Sequence, residues 1–495
     1  MIVLACIPRF TPTSNYSLGV LSDSLSRAKI QHDIIDINID LYKRYAETDI
    51  WDDLEIFGIR QSHFKDADPR IKPMIHEFAR YWANEIAKRN PKYLGISVFT
   101  HETRNWAEII CAHVRTVAPQ IKIIIGGRGI SDPGTPNASF ALRMKKLRLI
   151  DHFILGEAED ELVRLIEGLQ STADSLQAAE IDDIDYLDPN RIPQHHYGMI
   201  SSWYGIEDHQ GSSGLLTKTK SYPDQAINSF ARMIATKGCV KRCTFCDVPL
   251  YRSKFSFKSS QTVFDQIRRL IEDKDVRGIL FLDDMINGNN KAFYGWLDML
   301  AIYLEDNDIH DFTWTSQFGL KKKSSFTADH FRLMARTGSR LTIGIDHFSD
   351  SILSHMEKRY NQDDIFDFIT RAVHHGMDFN MFLFIIGYPT ETRQDIEIFK
   401  QGLRWLSKYK DNMHAIDLGA TCNVTVGSKL SKMPGMKVSM NQGQWSWEGN
   451  PDLTIEERYR RRQEIDRLAV DLGFNTRKSR TWKHRVDSWA SSSQT

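Results

Sequence analysis

Residues 238–249 read GCVKRCTFCDVP, and three cysteines fall at the spacing C-x3-C-x2-C in this stretch. Cys239, Cys243 and Cys246 are half of the six cysteines in a chain of 495 residues. Thiolates are ligands for zinc and for iron–sulfur clusters, so thiols gathered on one short stretch indicate a metal centre. The sequence therefore predicts a metal-binding loop near the middle of the chain.

Three interpretations of these thiols are open. A closed structural zinc site needs four ligands, usually two distant pairs of Cys or His, and here there is neither a second cysteine pair nor a histidine within the loop. A catalytic zinc site with three thiolates would rarely take all three from one short loop. An iron–sulfur cluster accepts thiolates from a tight loop, and three of them leave one iron of a four-iron cluster open. The spacing favours the cluster over zinc and over three unligated buried cysteines.

Strand and helix patterns alternate on both sides of this loop. Up to about residue 165, apolar runs such as MIVLACI, YLGISVF and IKIIIGG alternate with amphipathic segments. From residue 231 the alternation resumes for about six strand–helix units, the last strand being HAIDLGATCNV. The first region predicts an α/β, doubly wound (Rossmann-like) parallel sheet, and the second predicts a full or partial (β/α) barrel.

These patterns predict four parts. Residues 1–170 form the Rossmann-like domain, 171–230 a linker rich in Pro, Gly, Ser and Asp, 231–430 the barrel, and 431–495 a C-terminal helical extension rich in charge and Trp. For the extension, a solvated charged surface is favoured over a segment that closes the site on a planar or anionic ligand.

Composition limits the partners and the compartment. Lys+Arg and Asp+Glu both number 64, so the balanced charge gives no reason to expect nucleic acid or an anionic membrane as partner. No apolar run is long enough for a membrane span, and the opening MIVLACIPRF is interpreted as a strand, not a signal peptide. Cys6, Cys111 and Cys422 are isolated, which is typical of a reducing cytoplasm.

The cysteine loop resembles that of the radical S-adenosylmethionine (SAM) superfamily. The resemblance lies in the C-x3-C-x2-C spacing, in Phe245 directly before the third cysteine, and in the position of the loop after a strand. It implies a 4Fe-4S cluster held by Cys239, Cys243 and Cys246, with the open iron chelating the amino and carboxylate groups of SAM. In that family an electron from the cluster cleaves SAM to a 5′-deoxyadenosyl radical.

Later strands of the predicted barrel resemble the same family. Asp283 ends the second-strand segment, Asp346 ends the fourth, where relatives often have the longer Glu, and Gly387 lies in a turn that resembles Gly-x-Pro-x-Glu-Thr. The resemblance implies that these three residues border the cofactor. The third strand carries Gln317 and lacks the Arg that many relatives have nearby.

The N-terminal region resembles the cobalamin-binding domain that often precedes a radical SAM barrel. The matching stretches are YSLGVLSDSL (16–25), GISVFT (95–100), KIIIGGRG (122–129) and FILGEAEDELV (153–163). The resemblance implies that Ser97, Gly126 and Gly127 border the cobalamin tail, where bare glycines let the backbone approach a bulky group. Residues 7–19 contain no His, so no histidine from this loop can be the lower cobalt ligand.

Taken together, these resemblances imply an oxygen-sensitive cytoplasmic enzyme that uses a 4Fe-4S cluster, SAM and cobalamin to methylate an unactivated carbon. Two alternatives are radical cyclisation, oxidation or rearrangement without methyl transfer, and a cluster-bearing protein that binds or senses without catalysis. The expected partners are a small-molecule or peptide substrate and an electron donor such as flavodoxin or ferredoxin, with no nucleic acid. The sequence predicts neither the catalytic side chains nor the oligomeric state.

Overall fold

The structure, a computed structural model, falls into two compact units, Met1–His209 and Gln210–Thr495. It describes residues 1–8, 16–45, 48–51, 53–54, 69–100, 103–132, 135, 137–177, 230–252, 254–419, 421–438 and 445–476. The predicted linker 171–230 therefore lies outside the described residues except at its two ends, and so does the end of the predicted C-terminal extension.

The first unit is built on a five-stranded parallel sheet. Its strands are β1 (Ile2–Cys6), β2 (His32–Asp36), β3 (Tyr93–Ser97), β4 (Lys122–Gly126) and β5 (His152–Ile154). They lie in the order β2-β1-β3-β4-β5, which is a doubly wound order whose direction of winding reverses between β1 and β3. The predicted Rossmann-like sheet is confirmed.

Helices cover both faces of this sheet. They are α1 (Tyr16–Arg27), α2 (Ile37–Tyr45), α3 (Lys72–Lys88), α4 (Arg104–Val117), α5 (Ser139–Lys146) and α6 (Glu159–Glu167). Successive side chains of a strand point to opposite faces, so Ile124 packs with α1 and α6 while Ile123 and Ile125 pack with α3, α4 and α5. Two separate apolar clusters therefore hold the sheet between its helix layers.

The second unit contains parallel strands that follow one another in chain order. They are β6 (Phe230–Met233), β9 (Gly278–Phe281), β10 (Thr313–Thr315), β11 (Gln317–Phe318), β12 (Arg340–Asp346), β13 (Asp378–Phe384) and β14 (Met413–Asp417), with a short antiparallel pair, β7 (Thr236–Lys237) and β8 (Ser256–Phe257), after the first. Only Ser316 separates β10 from β11, so β6-β9-β10 and β11-β12-β13-β14 together give six barrel positions. Within the described residues β6 and β14 are not paired, and the predicted barrel is a partial one.

Helices follow these strands. They are α7 (Val248–Tyr251), α8 (Ser260–Lys274), α9 (Asn290–Asp306), α10 (Ala328–Arg336), α11 (Asp350–His355), α12 (Gln362–His374) and α13 (Arg393–Leu406). Thr327, Asn361 and Thr392 begin three of them with capping boxes, which satisfy backbone N–H groups just after the loops. Among the helices that the structure describes, none is both long enough and apolar enough to cross a membrane.

The C-terminal part of the second unit is a hairpin followed by a helix. Strands β15 (Met436–Val438) and β16 (Trp445–Trp447) pair antiparallel, and α14 spans Ile455–Asp471. The favoured expectation of solvated charge on this segment is wrong for Arg458, Arg461 and Arg462, which are only 2%, 5% and 5% exposed. They are buried because the helix packs over the loops that follow β13 and β14, where carbonyl and carboxylate groups accept their N–H donors.

Candidate active site

The cysteine loop begins directly after β7, at the carboxyl end of the first barrel position. Gly238 has φ +78°, and a Cβ there would lie 2.6 Å from the carbonyl oxygen of Lys254, so only glycine fits this turn. Cys239, Cys243 and Cys246 that follow it are all partly buried free thiols. Burial raises the pKa of the Cys246 thiol to about 11 and raises the pKa of Cys239 as well, so binding a metal there requires loss of these protons.

Contacts at Thr244 fix the middle of the loop to other carboxyl-end loops. The Thr244 hydroxyl lies 2.8 Å from the Tyr388 hydroxyl in the turn after β13. The Thr244 N–H donates to the carbonyl of Met356, and the Leu430 N–H donates to the carbonyl of Thr244 at 2.8 Å. Loops from three other parts of the barrel therefore position the cysteines, and no local pattern in the sequence predicts these contacts.

The thiols do not form a site for a single ion. In the part of the chain that the structure describes, no group of three or more His, Cys, Asp or Glu side chains is arranged to hold one metal ion. Three thiolates that each bind a different iron of a cluster need not converge on one point. The donor set, which is three thiolates from one anchored loop, therefore fits a cluster better than it fits zinc.

Asp283 lies just after β9 and holds the chain that leads into the cysteine loop. Its carboxylate accepts hydrogen bonds from the N–H groups of Ala235 (3.2 Å) and Thr236, and the residue is 2% exposed. Burial raises the pKa of the Asp283 carboxyl to about 7, although the hydrogen bonds from Thr236 and Ala235 act in the opposite direction. The structure gives Asp283 a positioning role, and its predicted contact with a cofactor stays a prediction.

Asp346 is the last residue of β12 and is 6% exposed. Its backbone has φ +65°, which is rare for a residue other than glycine, and its side chain forms a close ion pair with Lys358. Lys358 also lies over the ring of Phe245, at 5.1 Å from the ring centroid. The structure thus connects predicted Asp346 to the cysteine loop through a lysine that sequence reasoning missed.

Gly387 lies in the turn after β13, next to Tyr388. It has φ +76°, and its N–H donates to the Glu391 carboxylate at 2.9 Å. A Cβ at Gly387 would lie 2.9 Å from Cγ of Arg458, so helix α14 covers this side of the turn. Arg461 donates to the other oxygen of Glu391 at 3.0 Å. The turn is therefore held from within by Glu391 and from outside by the C-terminal helix.

Lysines surround the loop. Lys241 donates to the carbonyl of Leu320 at 2.6 Å and lies 4.8 Å from the centroid of the Tyr360 ring. Burial lowers the pKa of the Lys241 ammonium to about 8, and the charge of Lys358 acts in the same direction. Gln317, near which relatives carry an Arg, is the exposed first residue of β11. Positive charge near the loop therefore comes from Lys241, from Lys358 and from Lys321, which follows β11.

The first unit brings together two of its predicted site residues. Ser97 pairs in register with Cys6 of β1 and with Gly126 of β4, at the carboxyl edge where the winding of the sheet reverses. Among the described residues, a Cβ at Gly126 would meet one atom within 4 Å, the Ile154 carbonyl oxygen, at an ordinary contact distance of 3.4 Å. The described part of this edge therefore leaves room for a Cβ at Gly126.

Gly127 has a structural role in the turn after β4. It has φ +96°, and a Cβ there would lie 2.6 Å from the carbonyl oxygen of Val98. A side chain at Gly127 would therefore first meet the chain itself, so the turn after β4 requires glycine at this position. The predicted place of Gly127 beside the cobalamin tail stays a prediction.

Comparison with known proteins agrees with this architecture. The family model described as the Radical SAM superfamily matches residues 233–401, which include the three cysteines, Asp283, Asp346 and Gly387. The ribosomal protein uS12 methylthiotransferase RimO of Pseudothermotoga lettingae is 22% identical over 269 residues, covering 48% of this chain and 58% of the relative. The chain thus spans less than two thirds of that relative's length.

Two solved structures share the fold. The radical SAM methyltransferase TsrM from Kitasatospora setae, solved with cobalamin and a [4Fe-4S] cluster bound, is 17% identical, covers 88% of this chain and 80% of its own, and has a TM-score of 0.58. The cobalamin-dependent radical enzyme OxsB, solved with aqua-cobalamin and SAM bound, is 13% identical. The match covers 90% of this chain and 64% of the OxsB chain, with a TM-score of 0.56. Residues 233–401 therefore match the radical SAM superfamily, and the chain shares the fold of these two cobalamin-dependent radical SAM enzymes.

Proposed function

We propose that this chain is a cobalamin-dependent radical SAM methyltransferase that acts on an unactivated carbon. The observation that carries the proposal is the loop of Cys239, Cys243 and Cys246, anchored at the carboxyl edge of a partial barrel inside the segment that matches the radical SAM family. In this proposal the three thiolates hold a 4Fe-4S cluster, and SAM binds at the same edge.

The chain's own residues supply positioning and exclusion of water. Cys239, Cys243 and Cys246 would hold the cluster, and Thr244 keeps their loop in place through Tyr388 and Leu430. When bound, the cluster supplies the electron that cleaves SAM to a 5′-deoxyadenosyl radical.

SAM would lie beside two of the predicted residues, Asp346 and Gly387. The Asp346 carboxylate can accept a hydrogen bond from the amino group or the hydroxyls of SAM, and it is already fixed by Lys358. The turn at Gly387 offers backbone groups that Glu391 and Arg461 hold rigid. Rigid partners matter because a cofactor that is held loosely exposes a reactive radical to the solvent.

The first unit fits cobalamin at its open edge. Ligands of doubly wound sheets bind beyond the carboxyl ends of the strands, where the winding reverses. Ser97 lies at that point, and the neighbouring backbone is bare at Gly126, where a Cβ would clash with none of the described residues. Residues 9–15 of the first loop lie outside the described residues, and the sequence places no His among residues 7–19. In this proposal Ser97 and Gly126 border the tail.

A second candidate is methylthio transfer, because the matched RimO relative is named a methylthiotransferase. A methylthio group contains sulfur as well as a methyl group, so that reaction needs a sulfur donor. The cysteines outside the loop, Cys6, Cys111 and Cys422, are buried and isolated from one another in the chain, and so offer no second set of thiols for a donor. This observation supports methyl transfer over methylthio transfer.

Product analysis tests the proposal. The anaerobically reconstituted protein, supplied with SAM, hydroxocobalamin and a chemical reductant, should form 5′-deoxyadenosine together with S-adenosylhomocysteine when a methyl acceptor is present. Formation of 5′-deoxyadenosine alone would favour cyclisation, oxidation or rearrangement. Formation of neither product would leave a cluster protein that binds or senses. A flavodoxin or ferredoxin as electron donor, a small-molecule or peptide acceptor, and a cytoplasmic site of action complete the proposal.

A further inference from the structure

The segment Met356–Tyr360 follows helix α11 and directs a lysine inward between two exposed charges. Glu357 and Arg359 are exposed, while Lys358 is 7% exposed and Tyr360 is 6% exposed. Glu357 and Arg359 both have φ +58°, in the left-handed region that residues other than glycine adopt at a cost of roughly 1–3 kcal/mol each. Two unfavourable backbone conformations therefore flank one buried ammonium group.

This arrangement departs from an ordinary helix end. The N–H of Glu357 donates to the carbonyl of Ser354, and the N–H of Lys358 donates to that of Leu353 at 3.0 Å, which is the hydrogen-bond pattern of a Schellman motif. Glycine usually occupies the left-handed position of this motif, and an apolar residue usually follows it. Here a glutamate and a buried lysine take these places, so helix termination alone does not explain the choice of residues.

The surroundings of Lys358 are the cluster thiols and one carboxylate. Its ammonium lies 5.1 Å from the centroid of the Phe245 ring, in the middle of the cysteine loop. Burial lowers the pKa of this lysine, while the neighbouring Cys243, Cys246 and Cys239 raise it, Cys243 also through a side-chain hydrogen bond. On its other side it forms the ion pair with Asp346. A buried ammonium is stable only with such partners, because desolvation of an unpaired charge is costly.

We propose that Lys358 is the fixed cation of the cluster site and raises the reduction potential of the bound cluster. This inference rests on the proposed function, since it requires the 4Fe-4S cluster on the three cysteines. Reduction by one electron adds one negative charge to the cluster, and a positive charge and a hydrogen bond at a ligand sulfur stabilise that added charge. Asp346 opposes the effect, because its carboxylate compensates part of the lysine's charge.

The test is a redox titration of the reconstituted full-length protein without SAM, using dithionite as reductant and electron paramagnetic resonance as readout. In Lys358→Met, the ratio of reduced to oxidised cluster at the wild-type midpoint should fall at least tenfold, which is 59 mV for a one-electron couple. Lys358→Arg should stay close to wild type. The matched control is Arg359→Met, which removes an adjacent but exposed positive charge and should leave the midpoint unchanged.

Asp346→Asn gives a prediction of opposite sign that does not depend on the lysine variant folding. This substitution removes the carboxylate charge that compensates Lys358, so the midpoint potential of the cluster should rise. An unchanged midpoint potential in Lys358→Met with full iron content would overturn the inference, and so would an unchanged midpoint potential in Asp346→Asn. A large rise of the midpoint potential in Lys358→Arg would also overturn it, because it would mean that the native lysine carries no charge. Absence of any cluster in the wild-type protein would instead overturn the proposed function.

Discussion

The neighbouring substitutions Gly126→Ala and Gly127→Ala should have different effects on the stability of the first unit. At Gly127 the new Cβ would lie 2.6 Å from the Val98 carbonyl oxygen and 3.1 Å from its carbon, on a backbone with φ +96°. Strain of this kind costs about 1–3 kcal/mol. At Gly126 the new Cβ meets one atom at 3.4 Å, so Gly126→Ala should range from neutral to about 1 kcal/mol more stable, through a less flexible unfolded chain.

Hydrogen exchange measures this difference locally, which matters because a chain of two units need not unfold in one step. The reporters are the N–H of Val98, bonded to the Gly126 carbonyl at 2.8 Å, and the N–H of Gly129, bonded to the Val98 carbonyl at 2.9 Å. Gly127→Ala should speed their exchange by about 5- to 150-fold, and Gly126→Ala should not. Equal exchange in the two variants would refute the assignment of Gly127 to the turn.

The same pair of positions tests the cobalamin proposal. Gly126→Val adds a side chain at the carboxyl edge beside Ser97, where the proposed tail would pass, so the protein should retain less cobalamin while its iron content and its exchange rates stay normal. Full cobalamin retention in Gly126→Val, with wild-type protection of Val98, would mean that the tail does not pass over Gly126.

Three further predictions concern the second unit. Asp346→Ala should weaken SAM binding to the cluster-loaded protein by about 1.5–3 kcal/mol in equilibrium binding, and unchanged affinity would limit Asp346 to pairing with Lys358. The Asp283 carboxyl has a pKa of about 7 in the folded protein, against an ordinary value of 3.8. Its protonated form therefore stabilises the fold at low pH, and this contribution is lost as the pH rises from about 4 to about 7. Asp283→Asn should therefore flatten the fall of the thermal midpoint over that range, and a profile as steep as that of the wild type would count against the raised pKa. Arg461→Met leaves the carboxylate of fully buried Glu391 without its arginine, so it should lower the free energy of unfolding in denaturant by about 3–5 kcal/mol. The control Arg460→Met removes an exposed arginine and should lower it by less than about 1 kcal/mol. Equal losses in the two variants would contradict the buried ion pair.

The fold followed from the sequence because its signals are local. Apolar runs at strand length and amphipathic segments at helix length each report their own burial, and β1 to β5 and the barrel strands lie where these runs are. The sequence did not predict the hairpin β15–β16 or the burial of the arginines of α14. A charged helix is predicted to be exposed unless partners are known, and Glu391, which binds Arg461, is 70 residues away in the chain.

The site was predictable only in part, for the same reason. The cysteines carry a spacing that predicts a cluster loop, and Asp283, Asp346 and Gly387 are predicted because they lie at or shortly after the ends of strands. Lys358 carries no such signal, because a lysine between Glu357 and Arg359 looks like part of a solvated run. Its burial depends on two left-handed residues and on thiols more than 100 positions earlier, which only the folded chain brings together.

Metal analysis of the reconstituted protein tests the central claim most directly. The wild-type chain should carry four irons and four sulfides and absorb broadly near ~400 nm, and a variant with Cys239, Cys243 and Cys246 all changed to Ala should lose the metal, the absorption and all cleavage of SAM. The three changes lie in the second unit, so a circular dichroism spectrum of the triple variant that matches the wild type serves as the folding control. Stoichiometric zinc without iron in the wild type, or iron retained by the triple variant, would contradict the assignment of a cluster to this loop.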